Sequence, residues 1–235
     1  MNIIKKIIAI LVAGMVFFGT PVFAARDFDG TNDKMTMTLP ASAGSQMTIA
    51  HWIYPDSVAQ YANTIKIVNG SNITGALEFD DGWGYVFAYN FTGTDGRWSV
   101  AKPTTGSWQH YAVTYNNGAT TNDPIIYKNG SSVGIIERST PTLVAETAGT
   151  SLQLGMNSDV YWYDGRMAEV AIWNRILSAT EIAGLGKGFS PKCYSRGLIY
   201  YSPFVRNVAD YRNGIAITDA GTVAIAHPRI IYCRN

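Results

Sequence analysis

Two acidic side chains that could act together lie one residue apart in the stretch ALEFDDGWGY, at Glu78 and Asp80. Residues i and i+2 of a β-strand point to the same face of a sheet, so this spacing sets the two carboxylates side by side. Two carboxyl groups about 5 to 5.5 Å apart can act as nucleophile and general acid in the retaining cleavage of a glycosidic bond. Asp80, Asp81 and Gly82 are also residue types that form reverse turns. We favour this structural interpretation of the pair.

Aromatic residues beside polar ones form a second candidate set, which suits sugar binding better than catalysis. The face of an aromatic ring packs against the C–H side of a pyranose, while carboxylate and amide groups bond its hydroxyls. The richest segment is NSDVYWYD, residues 157–164. The candidate ligand-binding residues are Asn157, Asp159, Tyr161, Trp162, Asp164, Trp83 and Trp98.

Three consecutive aromatic residues of this segment, Tyr161, Trp162 and Tyr163, cannot all point inward from a strand, because side chains alternate. At least one of them should therefore be exposed beside the acids and the amide. The alternative is that Tyr163 fills the core while the other two cover the edge of a sheet.

The elements that must position these side chains are predicted to be short β-strands. Apolar and polar residues alternate over short runs from residue 33 to about 175, and Gly, Asn, Asp and Pro separate the runs. The run Lys34–Leu39, for example, sets Met35, Met37 and Leu39 on one face. This pattern is typical of an antiparallel β-sandwich.

Two local motifs predict specific elements. Asn129–Gly130 follows Ile125–Lys128 and is typical of a type I′ hairpin turn, with Ser132–Ile136 returning as the second strand. The residues SATE from Ser178 to Glu181 form a capping box, which predicts a short helix that ends at Leu185.

The first residues, MNIIKKIIAILVAGMVFFGTPVFAA, are typical of a signal peptide. Lys5 and Lys6 precede an apolar run from Ile7 to Phe18, and small residues follow. The run is shorter than the roughly 18 to 20 residues that span a bilayer. We therefore predict cleavage after Ala24 and a secreted, extracytoplasmic chain that is not inserted in the membrane.

The charge balance is nearly even, at 18 basic and 17 acidic residues. Removing the predicted leader leaves 16 basic side chains against the same 17 acidic ones. No basic stripe is present, so the sequence lacks the electrostatic signature of nucleic-acid binding. Neutral partners such as a glycan or a glycosylated surface are expected.

The two cysteines, Cys193 and Cys233, both lie near the C-terminus. An exported chain meets oxidising conditions, in which the two residues can pair with each other. Such a bridge would close a loop of about 40 residues and stabilise the fold by roughly 4 kcal/mol. Two free thiols, or bridges between subunits, are the other interpretations.

Three separated blocks resemble one family in their order and spacing. The first is FDGTND at residues 28–33, the second combines WQHYAVTY at 108–115 with IYKNG at 126–130, and the third is GRMAEVAIWNRILSATEI at 165–182. Together they resemble the laminin-G-like (LamG) members of the concanavalin A-like lectin/glucanase superfamily, over about residues 26 to 185. The resemblance implies a jelly roll of two packed antiparallel sheets.

We therefore predict an all-β fold, a two-sheet antiparallel jelly-roll sandwich of the concanavalin A-like type. One short helix follows the last core strand, and a C-terminal extension follows the helix. The predicted units are a signal peptide at 1–24, a LamG-like domain at 25–186 and the extension at 187–235.

The resemblance also bears on the paired carboxylates. The glucanase branch of this superfamily cleaves its substrates with two Glu flanking an Asp, in the pattern Glu-x-Asp-x-Glu or Glu-x-Asp-x-x-Glu. Glu78 and Asp80 match the first two positions, but Gly82 and Trp83 stand where the last carboxylate is required. We therefore predict that the protein is not an enzyme and has no catalytic residues.

Many members of this family hold a structural calcium ion, partly through a carboxylate on the last core strand. The residue that matches this position is Ala168, just before Glu169. Ala168 has no side-chain oxygen, whereas calcium takes about six to eight oxygen ligands. The sequence therefore disfavours calcium, with Asp29 and Asp33 as the remaining candidate ligands.

The extension carries a weaker resemblance. Residues 197–204 (GLIYYSPF) and 210–214 (DYRNG) are similar to a strand and turn that many relatives place before the first block. We expect the extension to add an edge strand, either to its own sandwich or to that of a neighbouring subunit.

Two functions follow from this resemblance and remain open. The first is a secreted, non-catalytic carbohydrate-binding module of the lectin type. The alternative is a structural or adhesive extracellular subunit that self-associates through its jelly roll and its extension. A glycoside hydrolase is the least favoured interpretation.

Overall fold

The computed structural model describes residues 23–70, 72–204, 210–211, 213–227 and 230–233. The predicted signal peptide therefore lies outside the described residues, apart from its last two. The chain forms two large antiparallel sheets packed face to face, and α1 is the one α-helix among the described residues. The predicted all-β, two-sheet jelly-roll sandwich is confirmed. No helix in the described part of the chain is long and apolar enough to cross a membrane.

The first sheet runs in the order β10-β9-β8-β3-β15-β1-β18, with β16 pairing to β15 beside this path. Its strands are β1 (Phe23–Asp29), β3 (Gln46–Pro55), β8 (Gln109–Asn116), β9 (Ile125–Lys128), β10 (Ser131–Val133), β15 (Asp164–Trp173), β16 (Leu198–Ser202) and β18 (Val223–Ala226).

The second sheet runs in the order β11-β7-β6-β5-β4-β12-β2-β17. Its strands are β2 (Lys34–Thr38), β4 (Asn63–Asn69), β5 (Asn72–Asp80), β6 (Gly84–Tyr89), β7 (Gly96–Val100), β11 (Ile136–Ser139), β12 (Ser151–Leu154) and β17 (Thr218–Ala220). A small separate hairpin joins β13 (Met156–Asn157) to β14 (Tyr161–Trp162).

The core lies between the two sheets. Met35, Met37 and Leu39 are all buried there, as their alternation predicts. Aromatic rings meet across the interface, for example Tyr85 of β6 and Tyr111 of β8, whose ring centroids are 4.9 Å apart. The period of two in the run from Lys34 to Leu39 therefore identifies the inward face of this segment.

The outer face of the first sheet is covered as well, by α1 and by the extension. Ala112 of β8, Trp173 of β15 and Ile182 of α1 belong to a second buried cluster. Leu198 and Tyr201 of β16 belong to the same cluster. Parts of the first sheet are therefore buried on both faces, as in sheets that carry helices.

The predicted hairpin turn forms at Asn129 and Gly130, which have φ angles of 51° and 82°. Positive φ at both positions is the requirement of a type I′ turn. The return strand is β10, which ends at Val133, so the prediction that it continues to Ile136 is wrong. Ile136 begins β11 and pairs with Ser99 of the second sheet.

The short helix α1 (Ala179–Gly186) begins at the predicted capping box. The Ser178 hydroxyl accepts a hydrogen bond from the backbone N–H of Glu181, and the Glu181 carboxylate accepts one from the backbone N–H of Ser178. The helix ends one residue later than predicted, and Lys187 is its C-cap.

The extension pairs with the chain's own sheets. β16 pairs with the second half of β15, while β1 pairs with the first half. β17 pairs with β2 at the edge of the second sheet, and β18 pairs with β1 at the edge of the first. Each pairing is antiparallel. Only Gly221 and Thr222 separate β17 from β18, so the extension closes the same side of both sheets.

A disulfide joins Cys193 to Cys233, with Cα atoms 5.4 Å apart, which confirms the predicted bridge. Cys193 lies in a short 3-10 helix, Pro191–Tyr194. The backbone N–H of Ser190 donates to the carbonyl of Ile231 over 2.9 Å beside the bridge. The bridge therefore holds the end of the chain against the segment that follows α1.

Candidate ligand-binding site

The carboxylates of Glu78 and Asp80 are each engaged within the protein. One oxygen of Asp80 accepts hydrogen bonds from the backbone N–H groups of Gly82 and Trp83, both at 2.8 Å. This is an Asx turn between β5 and β6, so the structural interpretation of the pair is confirmed for Asp80.

Glu78 forms an ion pair with Arg97, at 2.6 Å between Oε1 and Nη1. Arg97 lies opposite Ala88 of β6, and Glu78 lies opposite Val86. The ion pair therefore crosses over β6 on the outer face of the second sheet. Burial raises the pKa of the Glu78 carboxyl, and the Arg97 charge lowers it in part.

The segment 157–164 folds as the β13–β14 hairpin, with a 3-10 turn at Ser158–Val160. Strand alternation then separates the three aromatic residues. Tyr163 is fully buried and its hydroxyl donates to the carbonyl of Arg166 at 3.0 Å. Tyr161 is 40% exposed and Trp162 is half-buried. One aromatic ring thus faces solvent at this hairpin.

The structure brings two further residues to the hairpin. The rings of Tyr61 and Tyr161 meet edge to face, with centroids 5.2 Å apart. The Lys34 ammonium lies 3.3 Å from the Asp159 carboxylate and 5.7 Å from the centre of the Trp162 ring. These residues lie at one end of the second sheet. We call them the rim site, which consists of Lys34, Tyr61, Asp159, Tyr161 and Trp162.

Sequence reasoning missed Lys34 and Tyr61. Tyr61 follows a run of loop residues and has a φ of 64°, which no local motif indicates. Lys34 is 125 residues away from Asp159 in the chain. Each contact depends on the order of strands in the sheet.

Asn157 and Asp164 hold the hairpin at its base. Asn157 pairs with Tyr161 across the hairpin and is half-buried. The backbone carbonyl of Asp164 accepts from the N–H groups of Asp56 and Ser57, at 3.0 and 3.4 Å. A role for these two side chains in ligand contact stays a prediction.

Trp98 is fully buried, so the prediction that it offers a ligand-binding surface is wrong. Its ring stacks on Phe87 and contacts Tyr115 in the core. Its indole N–H donates to Asp123 at 2.7 Å, which satisfies the polar end of the buried side chain. The ring fills the core because position 98 faces inward on β7.

Trp83 lies at the tip of the β5–β6 turn and is 37% exposed. The guanidinium of Arg138 lies 5.8 Å from the centre of its ring. This arrangement is a cation–π contact at the surface. Trp83 is therefore accessible, but its described neighbours differ from those of the rim site.

Asp29 and Asp33, the two candidate calcium ligands, accept hydrogen bonds from backbone groups of one turn, and a calcium role for them stays a prediction. Asp29 Oδ1 accepts from the backbone N–H groups of Thr31 and Asn32, at 2.8 and 3.3 Å. Asp33 Oδ2 accepts from the N–H of Asp29 at 3.0 Å. Within the ranges that the structure describes, no three His, Cys, Asp or Glu side chains are grouped to hold a metal ion. The two acids stabilise the turn between β1 and β2.

The fold resembles solved structures at low sequence identity. A candidate carbohydrate-binding protein from Bacteroides ovatus superposes with a TM-score of 0.66 and 18% identity, covering 90% of this chain. This chain spans 62% of the length of that structure. A heptameric pentraxin from Limulus polyphemus gives 0.56 and 14%, covering 86% of this chain and 95% of the pentraxin.

Domain 4 of an extracellular arabinanase from Geobacillus stearothermophilus, solved in complex with arabinotriose, gives a TM-score of 0.53 and 19% identity. The match covers 69% of this chain and 76% of that domain. At such identities these likenesses show a shared fold. A sequence search of curated proteins finds no significant match.

A family model matches across most of the sandwich. Residues 29–183 match the model of a laminin G family described as the concanavalin A-like lectin/glucanases superfamily. The matched region begins in β1 and ends in α1, so it includes most of both sheets. The chain therefore belongs to the laminin G family of the concanavalin A-like lectin/glucanases superfamily.

Proposed function

We propose that the protein is a secreted, non-catalytic carbohydrate-binding module and that the rim site is its binding surface. The observation that carries this proposal is the exposed pair of Tyr61 and Tyr161, at 39% and 40% exposure, beside Lys34 and Asp159. Exposed aromatic faces next to charged groups suit the two sides of a sugar ring.

Four of the five rim-site residues have a distinct task in this proposal. The Tyr161 ring packs against the C–H face of a sugar, and Tyr61 holds that ring in place by its edge-to-face contact. The Asp159 carboxylate accepts from sugar hydroxyls, and the Lys34 ammonium donates to sugar oxygens. The site is shallow, so several weak contacts act together.

Two similar folds support the ligand class. The Bacteroides ovatus protein is a candidate carbohydrate-binding protein, and the arabinanase domain was solved with arabinotriose.

Secretion is supported by the leader-like first residues, and the disulfide is stable in an oxidising compartment. The absence of catalysis is supported by the engagement of Glu78 with Arg97 and of Asp80 with its turn.

Substitution of Tyr161 by Ala tests the proposal. The purified protein is first applied to a glycan array, and the strongest glycan is titrated by calorimetry. We expect Tyr161→Ala to weaken binding about ten-fold, because it removes the exposed ring, which corresponds to about 1.4 kcal/mol.

The matched control is Tyr211→Ala, since Tyr211 is an exposed tyrosine of the extension. This variant should bind like the unsubstituted protein. Equal losses in the two variants would contradict a role for the rim site. Binding to no glycan on the array would contradict the proposed function itself.

A structural or adhesive subunit is the second candidate. The observation that favours it is that β10 and β11, the last strands of the two sheets, lie away from the side that the extension closes. Ile136 at the start of β11 is exposed. Strand edges of this kind can pair with another chain.

A further inference from the structure

Several polar side chains are nearly buried on the outer face of the second sheet, behind the rim site. By strand register, Lys66 of β4 lies opposite Gln153 of β12, and Gln153 lies opposite Thr36 of β2. Asn63 lies three residues before Lys66 on β4, opposite Glu78. Lys66, Gln153 and Glu78 lie on the outer face, since their strand neighbours Ile65, Leu152 and Leu77 belong to the core. A register shift between Asn63 and Ile65 places Asn63 on the same face as its partner Glu78.

Lys66 is 8% exposed and takes part in none of the ion pairs found among the described residues. Burial lowers the pKa of its ammonium, and the Asp159 carboxylate offsets this in part. An ammonium group that is partly desolvated and lacks a close counter-charge is unfavourable.

Asn63 is 1% exposed, and neither its side-chain nitrogen nor its side-chain oxygen has a hydrogen-bond partner among the described residues. Gln153 Oε1 also lacks one in that part of the chain. Buried polar atoms in folded proteins are nearly always paired, and an exception calls for an explanation. Here the unpaired amide groups flank Lys66 on one sheet face.

The positive and negative charges around Lys66 do not balance. Among the described residues, Asp159 is the one carboxylate that interacts with both Lys34 and Lys66, and its side chain is 79% exposed. Glu78 is already paired with Arg97. The site therefore has a cation in excess, together with an unpaired amide donor.

We propose that the ligand is an acidic saccharide, and that its carboxylate binds beside Lys66 and Asn63. This inference rests on the proposed function and names its ligand class. The carboxylate accepts from Lys66 Nζ and Asn63 Nδ2, and the oxygens of Asn63 and Gln153 accept from sugar hydroxyls. A charge-assisted hydrogen bond of this kind is stronger than a neutral one.

The test compares the protein with Lys66→Met, which keeps the apolar stem and removes the charge. Both are applied to an array of neutral glycans and of glycans that contain uronate or sialate residues. We expect the bound set to be dominated by carboxylated glycans and Lys66→Met to weaken binding about 10- to 100-fold. The affinity should also fall when NaCl is raised.

Lys187→Met is the matched control, because Lys187 is exposed at the end of α1. It should leave affinity unchanged, and thermal melting should show that both variants are folded. Without ligand, Lys66→Met should melt at the same or a higher temperature, since it removes a poorly solvated charge.

The outcomes separate the two proposals. Binding of neutral glycans that depends on Tyr161 and not on Lys66 would overturn this inference and leave the proposed function intact. Binding of acidic glycans with full affinity in Lys66→Met would also overturn it. An array without any bound glycan would contradict both.

Discussion

At the scale of single residues, Glu169 is a buried carboxylate with an incomplete set of hydrogen bonds. It is 3% exposed and has a φ of 53°, at a break in the pairing between β15 and β3. The Tyr201 hydroxyl donates to Glu169 Oε2 at 2.7 Å, while Oε1 has no partner among the described residues. Burial raises the pKa of this carboxyl to about 7, although Tyr201 and the Lys192 charge lower it in part.

This raised pKa predicts a pH dependence of stability. In the unfolded chain the Glu169 carboxyl has its ordinary pKa of 4.5, whereas burial in the folded chain raises this pKa to about 7. The neutral Glu169 carboxyl therefore contributes its full stabilisation of the fold below about pH 4.5. This contribution is lost as the pH rises through about 7. We expect Glu169→Gln to be more stable than the parent by about 2 kcal/mol at pH 8.

Urea unfolding at pH 5 and at pH 8 measures this difference. At pH 5 the two proteins should be nearly equal, because the parent carboxyl is then mostly protonated in the folded state. Glu137→Gln, at an exposed position of β11, serves as the control and should show no such change. A gain for Glu169→Gln that is equal at both pH values would contradict the titration of this group.

At the scale of elements, α1 packs on the β9–β10 hairpin through two glycines. A Cβ added at Gly186 would overlap the backbone of Gly130, which occupies the left-handed position of the turn. The close approach lets Ile182 and Leu185 reach the second cluster on the outer face of the first sheet. The turn and the helix therefore constrain each other.

Gly186→Ala should lower the free energy of unfolding by about 1 to 3 kcal/mol, since the new methyl group must push the helix away from the turn. Alanine is the better helix former, so propensity alone predicts the opposite sign. Chemical denaturation measures the change. Gly134→Ala is the control, because a Cβ there meets nothing within 4 Å. A Gly186→Ala protein that is more stable than the parent would contradict the close contact between α1 and the turn.

At the scale of the whole molecule, the extension closes one side of the sandwich. β17 and β18 pair with β2 and β1 at the edges of the two sheets, and β16 pairs with β15. The bridge between Cys193 and Cys233 then fixes the end of the chain. The sandwich and the extension are expected to unfold together.

Replacing both cysteines by serine should destabilise the protein by about 2 to 4 kcal/mol, because the closed loop no longer restricts the unfolded chain. The sequence separation of the pair is 40 residues. Thermal melting under non-reducing conditions measures the loss. Reducing agent should lower the melting temperature of the parent to that of the double variant and leave the double variant unchanged. A parent protein whose melting temperature does not change on reduction would contradict the role of the bridge.

Much of the fold could be predicted from local sequence patterns. The alternation of Met35, Met37 and Leu39 identifies an inward face, and Asn129–Gly130 predicts its turn, because each depends on neighbouring residues only. The capping box at Ser178 is of the same kind. The family resemblance supplied the two-sheet topology, which local periodicity does not specify.

The candidate site was only partly predictable. The sequence alone identified the segment 157–164 as aromatic and polar, and it required that one of its rings be exposed. It did not show that Trp98 faces the core, because alternation leaves open which of two faces is buried. Lys34 and Tyr61 reach the hairpin only through the order of strands in the second sheet. That order is decided by burial of apolar surface over the whole sandwich, which brings residues together that are far apart in the chain.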